Sequence, residues 1–192
     1  MPPNPITRFR RWFAEAERAH VPLPEAIALA TADRRGRPSV RFVLLKHVDA
    51  RGFVFFTDGR SRKGGELAAN PEAALACYWD ALGKQVRVEG RVSRVTIAEA
   101  DAYWSTRPRA SRLAGAASRQ SATLAKQADL LRRWRELGRQ HPSDDVPRPA
   151  AWMGYRITPR AIEFWTRGDF RLHHRERFER RGGAWTRRLL QP

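Results

Sequence analysis

The stretch AIALATADRRGRPSVRFVLLKHVDARGFVFFTD, residues 26–58, decides the fold. Ala26 to Asp33 reads as a strand and Arg34-Arg35-Gly36-Arg37-Pro38 as its turn. Ser39 to Asp49 reads as a long second strand, Arg51-Gly52 as a second turn, and Phe53 to Asp58 as a third strand. Strands joined by connections this tight pair antiparallel.

Working outward, Ser61 to Asn70 predicts a short helix ending before Pro71, and Ala74 to Trp79 a further strand. Gln85 to Val95 alternates, with Val86, Val88, Gly90 and Val92 on one face and Arg87, Glu89 and Arg91 on the other, as a half-buried strand does. Thr96 with Glu99 three positions on is a capping box opening a helix through Tyr103 and Trp104, which Pro108 stops or kinks. A longer helix is expected over Ser121 to Gln140, then a polar loop from His141 to Ala150. Trp152 to Ile157, Ala161 to Thr166, Arg171 to Phe178 and Ala184 to Leu189 read as closing strands. Toward the N-terminus, Phe9, Trp12, Phe13 and Ala16 recur at helical spacing between Thr7 and His20. Seven or eight strands with three or four peripheral helices imply one α+β domain over 1–192 built on a β-barrel. Its parts are an N-terminal arm and helix over 1–20, a helical insertion over 96–141 and C-terminal strands over 152–192.

At 192 residues with 42% apolar and 30% charged side chains, the chain can bury a real core. No apolar run approaches the ~18–20 residues that span a bilayer, and the N-terminus lacks the features of a secretion signal, so the chain reads as soluble and cytoplasmic. The lone Cys77 excludes an internal disulfide and a cysteine-clustered metal site, and no metal is expected. The net charge of +17 would suit a polyanion partner. However, only Lys46, Lys63, Lys84 and Lys126 of the 37 basic residues are lysine, and the bases are spread along the chain, which points to an arginine coding bias. Neither nucleic acid nor membrane is the expected partner. There is no Gly-x-Gly-x-x-Gly, no Walker-type loop and no Gly-x-Ser-x-Gly elbow, so an anionic ligand has to be held by side chains.

Several constellations could do so. Arg41 and Lys46 bracket one strand and by period two point to opposite faces, serving either two neighbouring ligands or solvent. Phe56-Thr57 followed by Ser61-Arg62-Lys63 sets a hydroxyl, a guanidinium and an ammonium at a strand end and a helix start, an anion site or a solvated first turn. Tyr103, Arg107 and Ser111 lie four apart and share a face if the helix continues past Pro108. Gln120-Ser121 precedes the long helix, where Ser121 could be its N-cap. Arg171, His173 and Arg175 alternate along an expected strand face, where three bases repel unless an anion lies among them. Trp165 ends a strand with a broad aromatic surface that suits either core or ligand.

These segments together resemble the pyridoxine/pyridoxamine 5′-phosphate oxidase family. The carrying motifs are Arg41-Phe42-Val43-Leu44-Leu45-Lys46, Ser61-Arg62-Lys63, Ser105-Thr106-Arg107-Pro108-Arg109, Gln120-Ser121, Ile162-Glu163-Phe164-Trp165 and Arg171-Leu172-His173. They run in family order from about Pro5 to the C-terminus. The resemblance implies an FMN-binding split barrel, mainly antiparallel with peripheral helices, and a homodimer with FMN at the subunit interface. It implies oxidation of pyridoxine or pyridoxamine 5′-phosphate to pyridoxal 5′-phosphate by O2, giving H2O2. It assigns FMN contacts to Arg41, Phe42, Val43, Leu44, Leu45, Lys46, Phe56, Thr57, Arg62, Lys63, Gln85, Gln120, Ser121, Trp165 and Arg175. Substrate contacts fall on Lys46, Tyr103, Arg107, Ser111, Arg171 and His173, the last two also taken as the catalytic pair. The family often carries a basic, Tyr-containing segment that folds over the substrate ahead of the first helix. Only a few residues precede Pro5, so that lid is expected to be missing or the start internal. Flavin oxidases of phenazine biosynthesis share the framework and are the rival reading, beside a non-catalytic FMN- or pyridoxal-phosphate-binding protein.

Overall fold

The computed structural model describes residues 4–192. Helix α1, Pro5–Arg18, opens where Asn4 accepts the Ile6 N–H at 2.9 Å and Pro5 takes the first turn, in which its missing N–H costs nothing. Eight strands follow: β1 Ala26–Ala32, β2 Pro38–Asp49, β3 Gly52–Asp58, β4 Glu72–Trp79, β5 Lys84–Arg94, β6 Trp152–Thr166, β7 His174–Arg181 and β8 Ala184–Leu190. The remaining helices are α2 Arg62–Ala69, α3 Ile97–Thr106, α4 Arg109–Ala117 and α5 Gln127–Gln140.

All strand pairings are antiparallel, in the order β3-β2-β1-β4-β5-β6-β7-β8, and β3 also pairs with β6. That last pairing closes six strands into a barrel, with β7 and β8 extending from β6. Closure puts Phe53 and Phe55 of β3 in the core, whereas Val54 between them faces outward and is buried beside Val95 and the first turns of α3. Helix α1 seals the core with Phe9 edge-on to Phe53 at 4.8 Å and Trp12 edge-on to Phe164 at 5.1 Å. Such pairs add about 0.5–1.5 kcal/mol each beyond area burial. The alternation expected in β5 is present: Val86, Val88, Gly90 and Val92 are buried, Arg87 and Arg91 exposed.

Three expectations change, and the stop expected at Pro108 is present. The strands expected at 152–157 and 161–166 are one, β6, because Pro159 falls opposite Gly90 at a register shift of β5 where the ladder is already interrupted. A side chain on Gly90 would come within 2.1 Å of the Thr158 carbonyl oxygen, so glycine lets the two strands stay together. The helix expected from Ser121 begins only at Gln127; residues 121–128 are exposed and have no buried face to fold against. Pro108 breaks the insertion into α3 and α4, since it has no N–H to give and Arg107 before it is extended. The strand expected from Arg171 starts at His174, because the chain needs residues 167–173 to reverse between Thr166 and its partner His174.

Candidate active site

Elements far apart in sequence line one open cavity of about 490 Å³. It is bounded by Arg41, Phe42, Val43, Leu44 and Lys46 of β2, Phe56 and Thr57 of β3, Lys63 of α2, Tyr103, Thr106 and Arg107 around the end of α3, Pro108 and Ser111 at the start of α4, Gln120, and Trp152 of β6. Arg41 and Lys46, expected to serve separate ligands, meet here; an irregularity between Leu45 and His47 breaks the simple period. Tyr103, Arg107 and Ser111 also meet, although not on one continuous helix: the break at Pro108 turns α4 so that Ser111 still faces the cavity.

One wall is aromatic. Phe56 stacks on Tyr103 at 4.1 Å and on Trp152 at 5.1 Å, with Tyr103 and Trp152 6.0 Å apart, and the Arg107 guanidinium lies 4.9 Å from the Trp152 ring centre and 5.0 Å from that of Trp104. Burial holds Arg107 below its ordinary value, and its Nη1 is buried with no hydrogen-bond partner. Burial likewise raises the Tyr103 phenol.

The opposite group is polar. Lys63 Nζ donates to Thr57 Oγ1 at 2.9 Å, Gln120 Oε1 at 3.0 Å and Ser61 Oγ at 3.3 Å, and Thr57 donates to Gln120 at 2.8 Å. Burial, aided by the charge of Arg41, lowers the Lys63 ammonium. Ser61 caps α2 by accepting the Gly64 N–H, which presents Lys63 in the first turn.

The charges do not balance. Arg41 pairs with Glu66 at 3.2 Å and Lys46 lies 4.0 Å from Glu25. Among the described residues, Lys63 and Arg107 have no carboxylate within ion-pair distance. Two uncompensated cations beside a flat aromatic wall suit an anionic ester on a planar ring.

Glu66 is the support that sequence reading missed. Burial alone would raise its carboxyl, but hydrogen bonds from Ser39, Thr31, Arg62 and Arg41 outweigh that and bring it down to about 2. Its i,i+4 spacing from Arg62 was visible in the sequence; its link to Arg41, 25 residues away, was not. Trp152, read only as a strand start, was missed as well.

The other expected residues lie elsewhere. Leu45 is 5% exposed and its side chain belongs to the core. Arg62 points outward to Glu66 at 2.9 Å. Ser121 is no N-cap: at φ 66° it sits in a turn, and its hydroxyl accepts the Arg62 backbone N–H at 3.1 Å. Gln85, Trp165 and Arg175 line up across the sheet by register, Gln85 opposite Trp165 and Trp165 opposite Arg175. Trp165 is half-buried rather than core, with His173 4.6 Å from it. His173 Nδ1 accepts the Gly168 N–H at 3.3 Å. Arg171 does not share a strand face with these two; it is exposed in a left-handed turn at φ 65° beside Phe170 at φ 53°.

Comparison with known proteins joins these two clusters to one family. Residues 13–165 match the pyridoxamine 5′-phosphate oxidase family model, and residues 152–192 match the pyridoxine 5′-phosphate oxidase C-terminal dimerisation region. A pyridoxine/pyridoxamine 5′-phosphate oxidase of Anaeromyxobacter dehalogenans is 54% identical over 190 residues, covering 99% of this chain and 96% of its own. One from Novosphingobium aromaticivorans is 53% identical, covering 98% and 94%. Among solved structures, PhzG from Burkholderia lata in complex with tetrahydrophenazine-1-carboxylic acid superposes with a TM-score of 0.95 at 38% identity, over 100% of this chain and 94% of that one. A pyridoxamine 5′-phosphate oxidase-related, FMN-binding protein from Nostoc punctiforme shares the fold, with a TM-score of 0.79 at 17% identity over the full length of both. A split-barrel frame, the matched C-terminal region and half the residues in common with full-length relatives place the chain in the pyridoxine/pyridoxamine 5′-phosphate oxidase family of oxidoreductase enzymes.

Proposed function

We propose that the chain, acting as one domain, binds FMN and oxidises pyridoxine 5′-phosphate, pyridoxamine 5′-phosphate or both to pyridoxal 5′-phosphate, with O2 reduced to H2O2. The observation that carries this is the cavity with two uncompensated, half-buried cations, Lys63 and Arg107, beside the Phe56–Tyr103–Trp152 stack. The orphaned Arg107 Nη1 and the acidic-free lining fit phosphate esters of planar rings. A cytoplasmic location goes with this reading.

Lys63, Thr57 and Gln120 would hold the FMN phosphate end, with Arg62 and Ser121 reaching it from outside the cavity, and Arg41 to Lys46, Leu45 by its backbone alone, beside it with Phe56. FMN supplies the two-electron acceptor for the 4′ carbon of the substrate and the route to O2. Lys46, Tyr103, Arg107 and Ser111 would anchor the substrate phosphate by charge-assisted hydrogen bonds, which fixes the reacting carbon and excludes water. Gln85, Trp165 and Arg175, with Arg171 and His173, lie on an open sheet face and turn that enclose nothing alone. In a homodimer they would cover the partner's cavity, Arg171 and His173 lying over the substrate and stabilising charge that develops on it. The matched dimerisation region and the exposed Val40, Phe42 and Leu44 along one edge of the cavity support that arrangement.

A second reading, oxidation of a phenazine precursor, is favoured by the likeness to PhzG. Purified protein should be yellow, and oxygen uptake with peroxide release should follow addition of pyridoxine 5′-phosphate. Turnover of a dihydro- or tetrahydrophenazine carboxylate without turnover of either vitamer phosphate would select the second reading. A colourless protein that takes up no FMN would refute both.

A further inference from the structure

The row made by Gln85, Trp165 and Arg175 does not stop at β5. Tyr78 of β4 pairs with Gln85, so four strands present Tyr78, Gln85, Trp165 and Arg175 in one line. Cross-strand partners point to the same side of a sheet. The next row, Cys77, Val86, Phe164 and Glu176, is buried throughout, which fixes the first row to the outer face. There Tyr78 is 54% exposed, edge-on to Trp165 at 6.4 Å between ring centres. Trp165 in turn contacts His173 at 4.6 Å.

The phenol is also held in place. Tyr78 Oη donates to Asp80 at 2.7 Å and accepts from Arg167 Nη2 at 3.1 Å, and that same guanidinium nitrogen donates to Asp80. Arg167 reaches it from the end of β6, where its backbone N–H bonds the Gly83 carbonyl at 2.8 Å. Hydrogen bonds to two exposed side chains bias this half-exposed ring toward one placement, at no gain in core packing. Pre-ordering of this kind lowers the entropy cost of stacking a ring against it.

We propose that Tyr78, clamped by Asp80 and Arg167, is a further contact residue of the two-chain site, one that receives a planar heteroaromatic ring at the end of the Gln85–Trp165–Arg175 row. The inference rests on the FMN-oxidase reading above. The ring has two candidate sources, the flavin and the pyridine of the vitamer phosphate, and one set of variants separates them. Wild type, Tyr78→Ala and Arg167→Gln are each freed of flavin and titrated with FMN by fluorescence quenching. Each is then assayed for the KM of pyridoxine 5′-phosphate at saturating FMN.

Loss of a pinned aromatic contact corresponds to about a three- to tenfold effect, and loss of the clamp alone to roughly twofold. An FMN dissociation constant raised by Tyr78→Ala identifies the flavin as the ring. A raised KM with unchanged FMN affinity identifies the substrate. Wild type that binds FMN and turns over, with both constants unmoved in Tyr78→Ala, overturns the inference and leaves the function standing. If Tyr78→Ala melts early, Arg167→Gln decides by the same two constants, and no change in either overturns it. Wild type that takes up no FMN sinks the functional reading, and this inference with it.

Discussion

The molecule offers its ligands two unlike regions. The cavity between β2, β3, α2 and α3–α4 is concave within one chain: its cations are half-buried and its aromatic wall is stacked. The row from Tyr78 to Arg175, with the turn carrying Arg171 and His173, is a sheet face open to solvent. The first is a hollow by its own geometry; the second would enclose a ligand only if something covered it. Both regions mix paired and unpaired cations: in the cavity Arg41 and Lys46 have carboxylate partners while Lys63 and Arg107 have none, and on the open side Arg175 is paired with the buried Glu163 at 2.8 Å while Arg171, among the described residues, is not paired. An enzyme whose chemistry needs both regions has a structural reason to pair its chains.

The largest effect should come from splitting the regions between chains. Arg107→Ala weakens the cavity and Arg171→Ala the open face, and at substrate well below the wild-type KM either homodimer should be nearly inactive. Refolding the two variants together at equal amounts should restore about a quarter of wild-type activity, since half the dimers are mixed and each mixed dimer has one intact site. No recovery would break the idea that the regions meet across the dimer.

Arg107→Ala alone should raise the KM for the vitamer phosphate by about 10- to 100-fold, the loss of charge-assisted hydrogen bonds to a phosphate, with FMN content preserved. A matching loss of flavin would show that the cavity is not divided as proposed.

Glu66→Gln tests the support beneath the cavity. Removing one partner of a buried pair costs about 3 kcal/mol, read as a lower unfolding midpoint in urea at pH 7. Folded Glu66 lies at about 2 against an ordinary 4.5, so its contribution is complete above about pH 4.5 and is lost as pH falls toward 2. The gap between wild type and Glu66→Gln should therefore narrow across that window. A constant gap would remove Glu66 from the acid response.

The smallest effect is expected at the capping box of α3, whose far end carries Tyr103. Thr96→Ala removes the hydroxyl that accepts the Glu99 N–H at 3.1 Å and should cost about 1 kcal/mol by thermal melt. Tyr103 is placed against the substrate and not against FMN, so FMN affinity should change less than the KM of the vitamer phosphate.

Much of the cavity was legible because its chemistry sits on short local motifs. Ser61-Arg62-Lys63 at a helix start, Thr96 with Glu99, and the Tyr103-Arg107-Ser111 spacing all describe neighbours in sequence. The readings that changed required knowing what lay opposite. A strand passes through Pro159 because Gly90 faces it, and Arg171 leaves the strand because His174 must pair with Thr166. Ser121 does not cap the long helix but accepts the backbone N–H of Arg62, 59 residues away.

What the sequence by itself determined is the periodicity of the strands, the capping box of α3, the stop at Pro108 and the family motifs, since each is carried by residues close together in the chain. Only the tertiary structure decided which cations keep a counter-ion, which rings stack, and that the expected site divides into a hollow and a face. Those outcomes depend on distances between segments dozens of residues apart, and such distances exist only once the barrel has closed β3 onto β6.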